Sequence, residues 1–446
     1  MQKIIFSTLL TVSLSLLQAQ ETVLPAKEQK GSFYLTNATI HIGNGKVIQN
    51  GTIKVTNGKI EAVGDNIAVP AGADNVTNLK GQDLYPGLIL PASTLGLIEV
   101  SSVRATQDAR EIGEMNPSVR SIVAYNSDSK VINTLRSNGI LLANVVPQGN
   151  FVAGTSSVVQ LDAWNWEDAA YKTDAGLHVY MPSLLPRPSF GGRGGGFGMG
   201  NFGAQGGDPV KEGLEKMEGL KTFFREAKAY QQLTDRKATN LKFEAVKDLF
   251  EKKQKLYMHA TTAKQILVAL DFVKEFGFDM VIVGGSESYQ VADLLKQHDV
   301  SVILQQPHSL PTAGDDDVDQ PYKTAAQLKK AGVLFSISDD DSQTRGRNLA
   351  FNAGTAAAYG LDKEEALAAI TLNAARIMGV ADKTGSIEVG KDANIVVSSG
   401  DLLDMRNSNV TAAYIQGRKI DLTDKHKLLN DRFEQKYELK APRKGF

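Results

Sequence analysis

The sequence of 446 residues contains no cysteine. This absence excludes disulfides, cysteine-ligated zinc, iron–sulfur clusters and thiol nucleophiles. Any metal site in this chain must therefore use histidine, aspartate, glutamate or a modified lysine.

The chain also lacks an excess of charge of either sign, with 49 Lys and Arg against 50 Asp and Glu. No long basic stripe breaks this balance, so the electrostatic footprint of a nucleic-acid-binding protein is missing. No segment beyond the amino terminus has 18 uninterrupted apolar residues, and no membrane span is predicted. The 42% of hydrophobic and 22% of charged residues are typical of a chain with at least one large core.

The amino terminus has the pattern of a targeting segment. Lys3 precedes an apolar stretch from Ile4 to Leu17, and the small residue Ala19 follows at a plausible cleavage point. We predict a signal peptide over residues 1–19 and an exported protein, periplasmic or secreted. Without a cysteine after the apolar stretch, there is no site for lipid attachment.

Residues 20–84 have the pattern of an antiparallel β unit. Asn57-Gly58 lies between alternating apolar residues, and both residues tolerate the positive φ of a type I′ turn. Near the carboxyl terminus, residues 381–446 contain two further predicted strands and should rejoin this unit. The predicted strands are Tyr34–Ile42, Thr52–Val55, Ile60–Val63, Ile387–Val397 and Ala412–Ile420.

Residues 85–380 alternate between β-rich runs and helical patterns, which predicts βα units with parallel strands. The helix after His259 has apolar residues at a spacing of three to four, and Gly277 supplies a stop signal. The clearest β-rich runs are Leu256–His259, Met280–Val283, Val300–Leu304 and Val333–Ile337.

A glycine-dominated insertion at residues 190–207 has almost no capacity to bury itself, and we predict a mobile loop or lid. Its G-x-G-x-x-G spacing has no preceding strand and no following helix, so it does not indicate a dinucleotide site. A partial P-loop match ends in Asp392 where a magnesium-binding Ser or Thr is required, and it is rejected as well.

Four motifs occur in a characteristic order: Asn57–Gly64 (NGKIEAVG), Tyr85–Ile89 (YPGLI), Thr371–Arg376 (TLNAAR) and Gly385–Asn394 (GSIEVGKDAN). In these motifs the chain resembles the amidohydrolase superfamily, closest to its imidazolonepropionase-like branch. The resemblance covers nearly the whole mature chain. It implies a distorted (β/α)8 barrel with a composite β-sandwich formed by the two terminal segments, and a site at the carboxyl ends of the barrel strands.

The resemblance also implies metal-dependent hydrolysis of cyclic amide-type C–N bonds, with one or two divalent metals held by histidines, a carboxylated lysine or glutamate, and an aspartate. This sequence departs from that pattern. Ala92 and Thr94 stand where the first two histidines are expected, Gln160 where the lysine is expected, and Gly284 where a later histidine is expected. Only His259 and Asp340, or its neighbour Asp339, match ligand positions.

Two remaining ligands are fewer than the three that a catalytic zinc normally needs. Substitutes on segments after the late strands would be His308, Glu287 or the acidic cluster Asp315–Asp317. The alternative roles are a loop residue for His308, a cap of the helix through Gln290–Gln297 for Glu287, and a solvated turn for the aspartates. Either a cation or a basic partner such as Arg345 or Arg347 should lie near Asp339–Asp341 if these acids are buried. The other histidines have no motif around them, which favours surface or structural roles: His41, His178, His298 and His426.

Two hypotheses follow. In the first, the protein is a catalytically impaired relative. It either binds a small molecule with an amide-like group or forms a hetero-oligomer with an intact amidohydrolase as its partner. A homo-oligomer is the alternative assembly. In the second, it is an active hydrolase with a rebuilt site around His259 and Asp340, in which Asp340 or Asp339 is the catalytic acid. Accordingly, we predict either no cofactor or a single divalent metal, for which zinc is the first candidate.

Overall fold

A computed structural model describes residues 23–73, 75–185, 208–235, 238–312, 314–339 and 344–439. The predicted signal peptide at residues 1–19 and the glycine-rich insertion at 190–207 lie outside these residues. Among the described helices, none combines the length and hydropathy that crossing a bilayer requires.

Sixteen strands are present in the described part of the chain. In chain order they are β1 Ser32–His41, β2 Val47–Thr56, β3 Lys59–Gly64, β4 Val76–Asn78, β5 Asp83–Pro86, β6 Leu88–Ser93, β7 Ile140–Val145, β8 Val152–Gln160, β9 Ala170–Tyr180, β10 Lys255–Ala260, β11 Met280–Gly284, β12 Ser301–Leu304, β13 Phe335–Ile337, β14 Ile395–Ser398, β15 Val410–Ile415 and β16 Arg418–Lys419.

The α-helices in the same residues are α1 Lys130–Arg136, α2 Trp166–Ala169, α3 Pro209–Gln231, α4 Leu241–Glu244, α5 Lys247–Phe250, α6 Ala263–Phe276, α7 Ala292–Gln297, α8 Gln320–Ala331, α9 Leu349–Ala358, α10 Lys363–Ala369, α11 Leu372–Met378 and α12 Lys425–Lys436. Four short 3₁₀ helices connect them at Arg104–Thr106, Ser121–Ala124, Ser288–Val291 and Arg345–Asn348.

The two ends of the described chain share one eight-stranded sheet. Its order is β16-β15-β14-β5-β1-β2-β3, with β4 beside β1. The antiparallel pairing of β14 with β5 joins the carboxyl-terminal strands to the amino-terminal ones, so the predicted composite β unit is confirmed. The β2–β3 turn has φ of 48° at Asn57 and 80° at Gly58, as the sequence predicts.

One predicted strand is shorter than expected. The sequence predicts a strand from Ile387, but β14 begins at Ile395. The preceding residues are irregular because their amides bond to separate strands, Ile387 N to the Ile42 carbonyl and Gly390 N to the Ile60 carbonyl. Residues 387–394 therefore cover the terminal sheet instead of extending it.

The second sheet is a nearly closed barrel with the order β13-β12-β11-β10-β9-β8-β7-β6. Strand β8 runs antiparallel to both β7 and β9, whereas the other neighbouring pairs are parallel. The Ser338 hydroxyl bridges the two edge strands because it bonds to the backbone amide and carbonyl of Ala92 at 3.2 and 2.9 Å. The predicted distorted (β/α)8 barrel is confirmed, and β8 is its main distortion.

Inside the barrel lies a small apolar cluster that is separate from the larger core between the strands and the helices. Its buried members are Ala92, Val146, Tyr257, Val281, Val283, Ile303 and Ile377. The outer core contains the buried faces of helices such as α6, which begins with a Thr262–Gln265 capping box and ends at Gly277 with φ of 70°. This helix has the start and the stop that the sequence predicts.

Candidate functional site

A cavity of about 290 Å³ lies at the carboxyl ends of the parallel strands. Because parallel strands end at one face of a barrel, residues at the ends of β6, β9, β10 and β11 converge there. The described residues that line it carry no formal charge at neutral pH: Ala92, Ser93, Thr94, Val146, Gln148, Tyr180, Met181, His259, Thr261, Gln265, Val283 and Gln305.

His259 lines this cavity, and the fully buried His178 lies beside it. His178 Nδ1 and His259 Nε2 are 2.9 Å apart, within hydrogen-bonding distance. The register of β9 against β10 pairs His178 with Tyr257 and Tyr180 with His259. The Tyr180 ring stacks on His259 at 3.8 Å between centroids, and the Tyr257 ring stacks on His178 at 4.6 Å. Four aromatic rings thus support one another across two strands.

Both imidazoles are neutral at physiological pH. Burial lowers the pKa of His259 to about 3. Burial, together with the neighbouring His259, also lowers the pKa of His178 well below its ordinary value. A charged imidazolium would lose its hydration without gaining a carboxylate partner among the described residues, so the neutral ring is favoured.

Two other polar side chains of the cavity differ in how they are used. The Thr94 hydroxyl is buried and has no hydrogen-bond partner among the described residues. Gln265, by contrast, is committed to the start of α6, because its carbonyl accepts from the Thr261 and Thr262 amides and its amide donates to the Pro182 carbonyl. Thr94 is therefore available to a ligand, and Gln265 is structural.

The structure brings Ala92, Thr94 and His259 together, but it places Gln160 elsewhere. Gln160 pairs with Leu142, near the start of β7, because β8 is antiparallel. Its carbonyl accepts from Arg418 Nη2 at 3.1 Å, and its amide donates to the Asp168 carbonyl. Gln160 thus lies at the opposite end of the barrel, which corrects its predicted place in the pocket.

Gly284 is also outside the His259 cavity. His259 is in register with Val283, and Ala260 is in register with Gly284. Because side chains alternate between the two faces of a strand, a shift of one residue reverses the direction. Val283 consequently lines the cavity, and Gly284 lines a separate, smaller cavity beside Gln305.

The predicted aspartate position is only partly described, since Asp340 lies outside the described residues. Asp339 is buried, accepts from Arg345 Nε at 3.0 Å and from Asn352 Nδ2 at 3.3 Å. Arg345 is thus the basic partner that the sequence predicts for this acidic run. Asp339 lines a different cavity of about 780 Å³ next to α9, not the one that contains His259.

The candidate substitute ligands do not gather at His259. Glu287 accepts from the Ala263 amide at 2.8 Å and therefore caps α6. The sequence instead predicts that Glu287 caps the helix through residues 290–297. His308 bonds to Thr355, Asp316 to Tyr289 and Asp317 to Lys323. Among the described residues, no group of three or more His, Asp or Glu side chains could hold a metal ion.

Sequence reasoning missed His178 and Tyr180. The sequence predicts a surface or structural role for His178, and its full burial beside His259 excludes the surface role. A sequence signal for these two residues lies in the run Gly176–Tyr180. After Gly176, the aliphatic residues Leu177 and Val179 alternate with the aromatic residues His178 and Tyr180, as in a strand with two different faces. Only the pairing of this run with β10 shows which histidine it approaches.

Comparisons with known proteins agree with the barrel fold described above. The family model for the amidohydrolase family matches residues 153–420. The chain belongs to the amidohydrolase family. An amidohydrolase from Thermotoga maritima MSB8 is 28% identical, with a TM-score of 0.73 over 87% of this chain and 99% of that one. A molinate hydrolase structure, 17% identical with a TM-score of 0.53 over 89% of this chain and 96% of that one, shares the fold.

The similar curated proteins are imidazolonepropionases. One from Thermoplasma volcanium is 40% identical over 82 residues, and one from Flavobacterium johnsoniae is 35% identical over 81 residues. Each match covers 18% of this amidohydrolase-family chain and 20% of the relative, so the matched stretch spans about a fifth of the relatives' length.

Amidohydrolases usually use a divalent metal, and the described side chains at the barrel mouth do not fit one. A catalytic zinc normally takes three protein ligands and keeps one open position. Here the described lining of the cavity has one histidine, His259, and no Asp or Glu, so it supplies fewer than three such ligands. The neighbouring side chains at this level are Ala92, Thr94, Tyr180 and Val283.

Proposed function

We propose that this amidohydrolase-family protein binds a small, neutral ligand with an amide-like group at the barrel mouth, without a catalytic metal. The observation that carries the proposal is the shortage of metal ligands, because the described lining has one histidine and no Asp or Glu, whereas a catalytic zinc takes three protein ligands.

The charge of the cavity supports a neutral ligand. The described lining has no Lys, Arg, Asp or Glu, and its polar groups are hydroxyls, carboxamides and one imidazole. Such groups match amide N–H and C=O groups without desolvating a charge. A volume of about 290 Å³ suits a small ring better than a peptide.

Metal content tests the first half of the proposal. We expect the purified protein to contain much less than one equivalent of zinc, manganese or iron by elemental analysis, and dialysis against EDTA to leave its melting temperature unchanged. Stoichiometric metal, together with hydrolysis of hydantoin or 2-pyrrolidinone, would instead establish the active hydrolase.

Ligand binding tests the second half, with hydantoin and 2-pyrrolidinone as neutral probes in calorimetric titrations. Gln148→Leu removes a carboxamide from the cavity wall and should weaken binding by up to about tenfold, the value of one neutral hydrogen bond. Gln435→Leu, on exposed α12, is the matched control and should bind as the native protein does.

Export and partnership remain separate proposals. The apolar stretch before Ala19 supports export, and amino-terminal sequencing of material from the producing cell tests cleavage near Gln20. A partnership with an intact amidohydrolase predicts co-purification with a metal-containing homologue of similar size. A homo-oligomer predicts instead a single species whose molar mass by light scattering is a multiple of the mass of one chain.

A further inference from the structure

The His178–His259 pair has to share one proton. Each neutral imidazole carries one N–H, so one ring donates across the 2.9 Å contact and the other accepts. Which ring donates determines whether the Nδ1 atom of His259 carries a proton or a lone pair. The surroundings of His178 decide between the two arrangements.

His178 Nε2 is buried and has no hydrogen-bond partner among the described residues. If His259 donated, the proton of His178 would sit on Nε2 as a buried, unpaired N–H. If His178 donates from Nδ1, only a lone pair is left unpaired at Nε2. Unpaired buried donors are rarer than unpaired acceptors, so donation by His178 is favoured.

Donation by His178 fixes the other ring as well. His259 then accepts at Nε2 and must carry its own proton at Nδ1. The Nε2 edge of His259 is occupied by His178, and one face is covered by Tyr180. His259 is only partly buried and lines the cavity, which leaves the Nδ1 edge for a ligand.

We infer that His178 is a positioning residue that holds His259 as the Nδ1–H tautomer, and that His259 donates this hydrogen bond to a carbonyl oxygen of the ligand. This inference rests on the proposed function and names the group that the site recognises. The Thr94 hydroxyl, which has no partner among the described residues, is a further polar group of the same cavity, and a hydroxyl can donate to the ligand or accept from it. The ligand is therefore a neutral compound with a carbonyl oxygen, such as a lactam, an imide or a hydantoin.

The tautomer is measured on the ligand-free protein with ¹⁵N-labelled histidine. Long-range ¹H–¹⁵N correlation spectra distinguish Nδ1–H from Nε2–H in each ring, and His259→Asn assigns the signals. We expect Nδ1–H in both His178 and His259. An Nε2–H signal for His259 would overturn the inference, whether or not any ligand binds.

His178→Phe separates positioning from packing. Phenylalanine keeps a ring against Tyr257 but removes the hydrogen bond, so His259 should become a mixture of tautomers and hydantoin should bind about tenfold more weakly. His308→Phe, which changes an exposed histidine, should alter neither readout. An unchanged His259 tautomer in folded His178→Phe would contradict the positioning role.

Hydantoin binding distinguishes this inference from the proposed function. On saturation, the ¹⁵N signal of His259 Nδ1 should shift, as expected for a new hydrogen bond to a carbonyl. If hydantoin binds and this signal does not move, the inference is overturned and the proposed function stands. If neither hydantoin nor 2-pyrrolidinone binds the native protein, the proposed neutral-amide ligand is refuted, and with it the carbonyl assignment.

Discussion

Asp162 holds together three segments that are distant in the chain. Its carboxylate accepts from Arg136 Nη1 at 2.7 Å, from Arg418 Nη1 at 3.2 Å and from the Ala26 amide at 3.0 Å. The Asp162 side chain is 1% exposed. Two arginines and one buried carboxylate thus connect α1, β16 and the segment around Ala26 at the end of the barrel opposite the His259 cavity.

Replacing this carboxylate should be costly. Asp162→Asn leaves two largely buried guanidinium groups facing a neutral amide, and breaking a buried ion pair by removing one partner costs about 3–5 kcal/mol. We expect a loss of that order in the free energy of unfolding, measured by urea titration with circular dichroism. Glu215→Gln, in an exposed pair with Lys211, is the control and should leave the urea midpoint unchanged. Equal effects of the two substitutions would contradict the role of Asp162.

At the scale of an element, β9 positions the site because it carries both His178 and Tyr180. Gly176 lets β9 approach β10 closely, since a side chain there would overlap the Tyr257 ring. That ring in turn stacks on His178. The absence of one methyl group at position 176 is thus a condition for the histidine pair.

Gly176→Ala should therefore destabilise the protein and disturb the site. Forcing a methyl group against Tyr257 is an overpacking change, which typically costs about 1–3 kcal/mol. Gly219→Ala is the matched control on α3, where nothing lies within 4 Å of the added methyl group, and helix propensity should raise stability by up to about 1 kcal/mol. Thermal unfolding of both variants checks the opposite signs.

Closure of the barrel involves the hydroxyl of Ser338, the residue that directly follows β13. Ser338→Ala would leave the Ala92 amide without this partner, and losing a buried hydrogen bond costs about 1–3 kcal/mol. We expect faster hydrogen exchange at the Ala92 amide and a lower melting temperature. Ser118→Ala, at an exposed position, should change neither measurement, and unaltered exchange at Ala92 would argue against closure through Ser338.

At the scale of the whole molecule, the terminal sheet and the barrel helices are linked by His41. Its Nδ1 lies 2.6 Å from Glu364 on α10, its Nε2 lies 3.7 Å from Asp83 on β5, and its ring stacks on Tyr85 at 4.4 Å. Burial alone would lower the pKa of His41, but the two carboxylates raise it to about 9. His41 is therefore an imidazolium at neutral pH, unlike the histidines of the cavity.

This raised pKa predicts a loss of stability in alkaline solution. Because the pKa of His41 is higher in the folded chain than its ordinary 6.5, its stabilising contribution is complete below pH 6.5 and is lost as the pH rises through about 9. The free energy of unfolding of the native protein should fall over this window. His41→Gln should be less stable at pH 6 and show a flatter profile, and identical slopes in the two proteins would refute the assignment.

Local sequence patterns predicted much of the architecture. Asn57-Gly58 determines its turn through the backbone alone, and the spacing after His259 determines α6 through one apolar face. The four motifs identified the family, and Ala92 and Thr94, where the sequence departs from the family pattern, line the cavity with His259. These features depend on residues that are close together in the chain.

The tertiary structure alone decided which side chains meet. Gln160 lies at the far end of the barrel because β8 is reversed, and Val283 replaces Gly284 in the cavity because the register differs by one residue. His178 meets His259 across 81 positions of sequence. Strand direction, register and pairing are set by packing across the whole barrel, so no local pattern contains them. The sequence determined the family and the fold, and long-range packing determined the chemistry of the site.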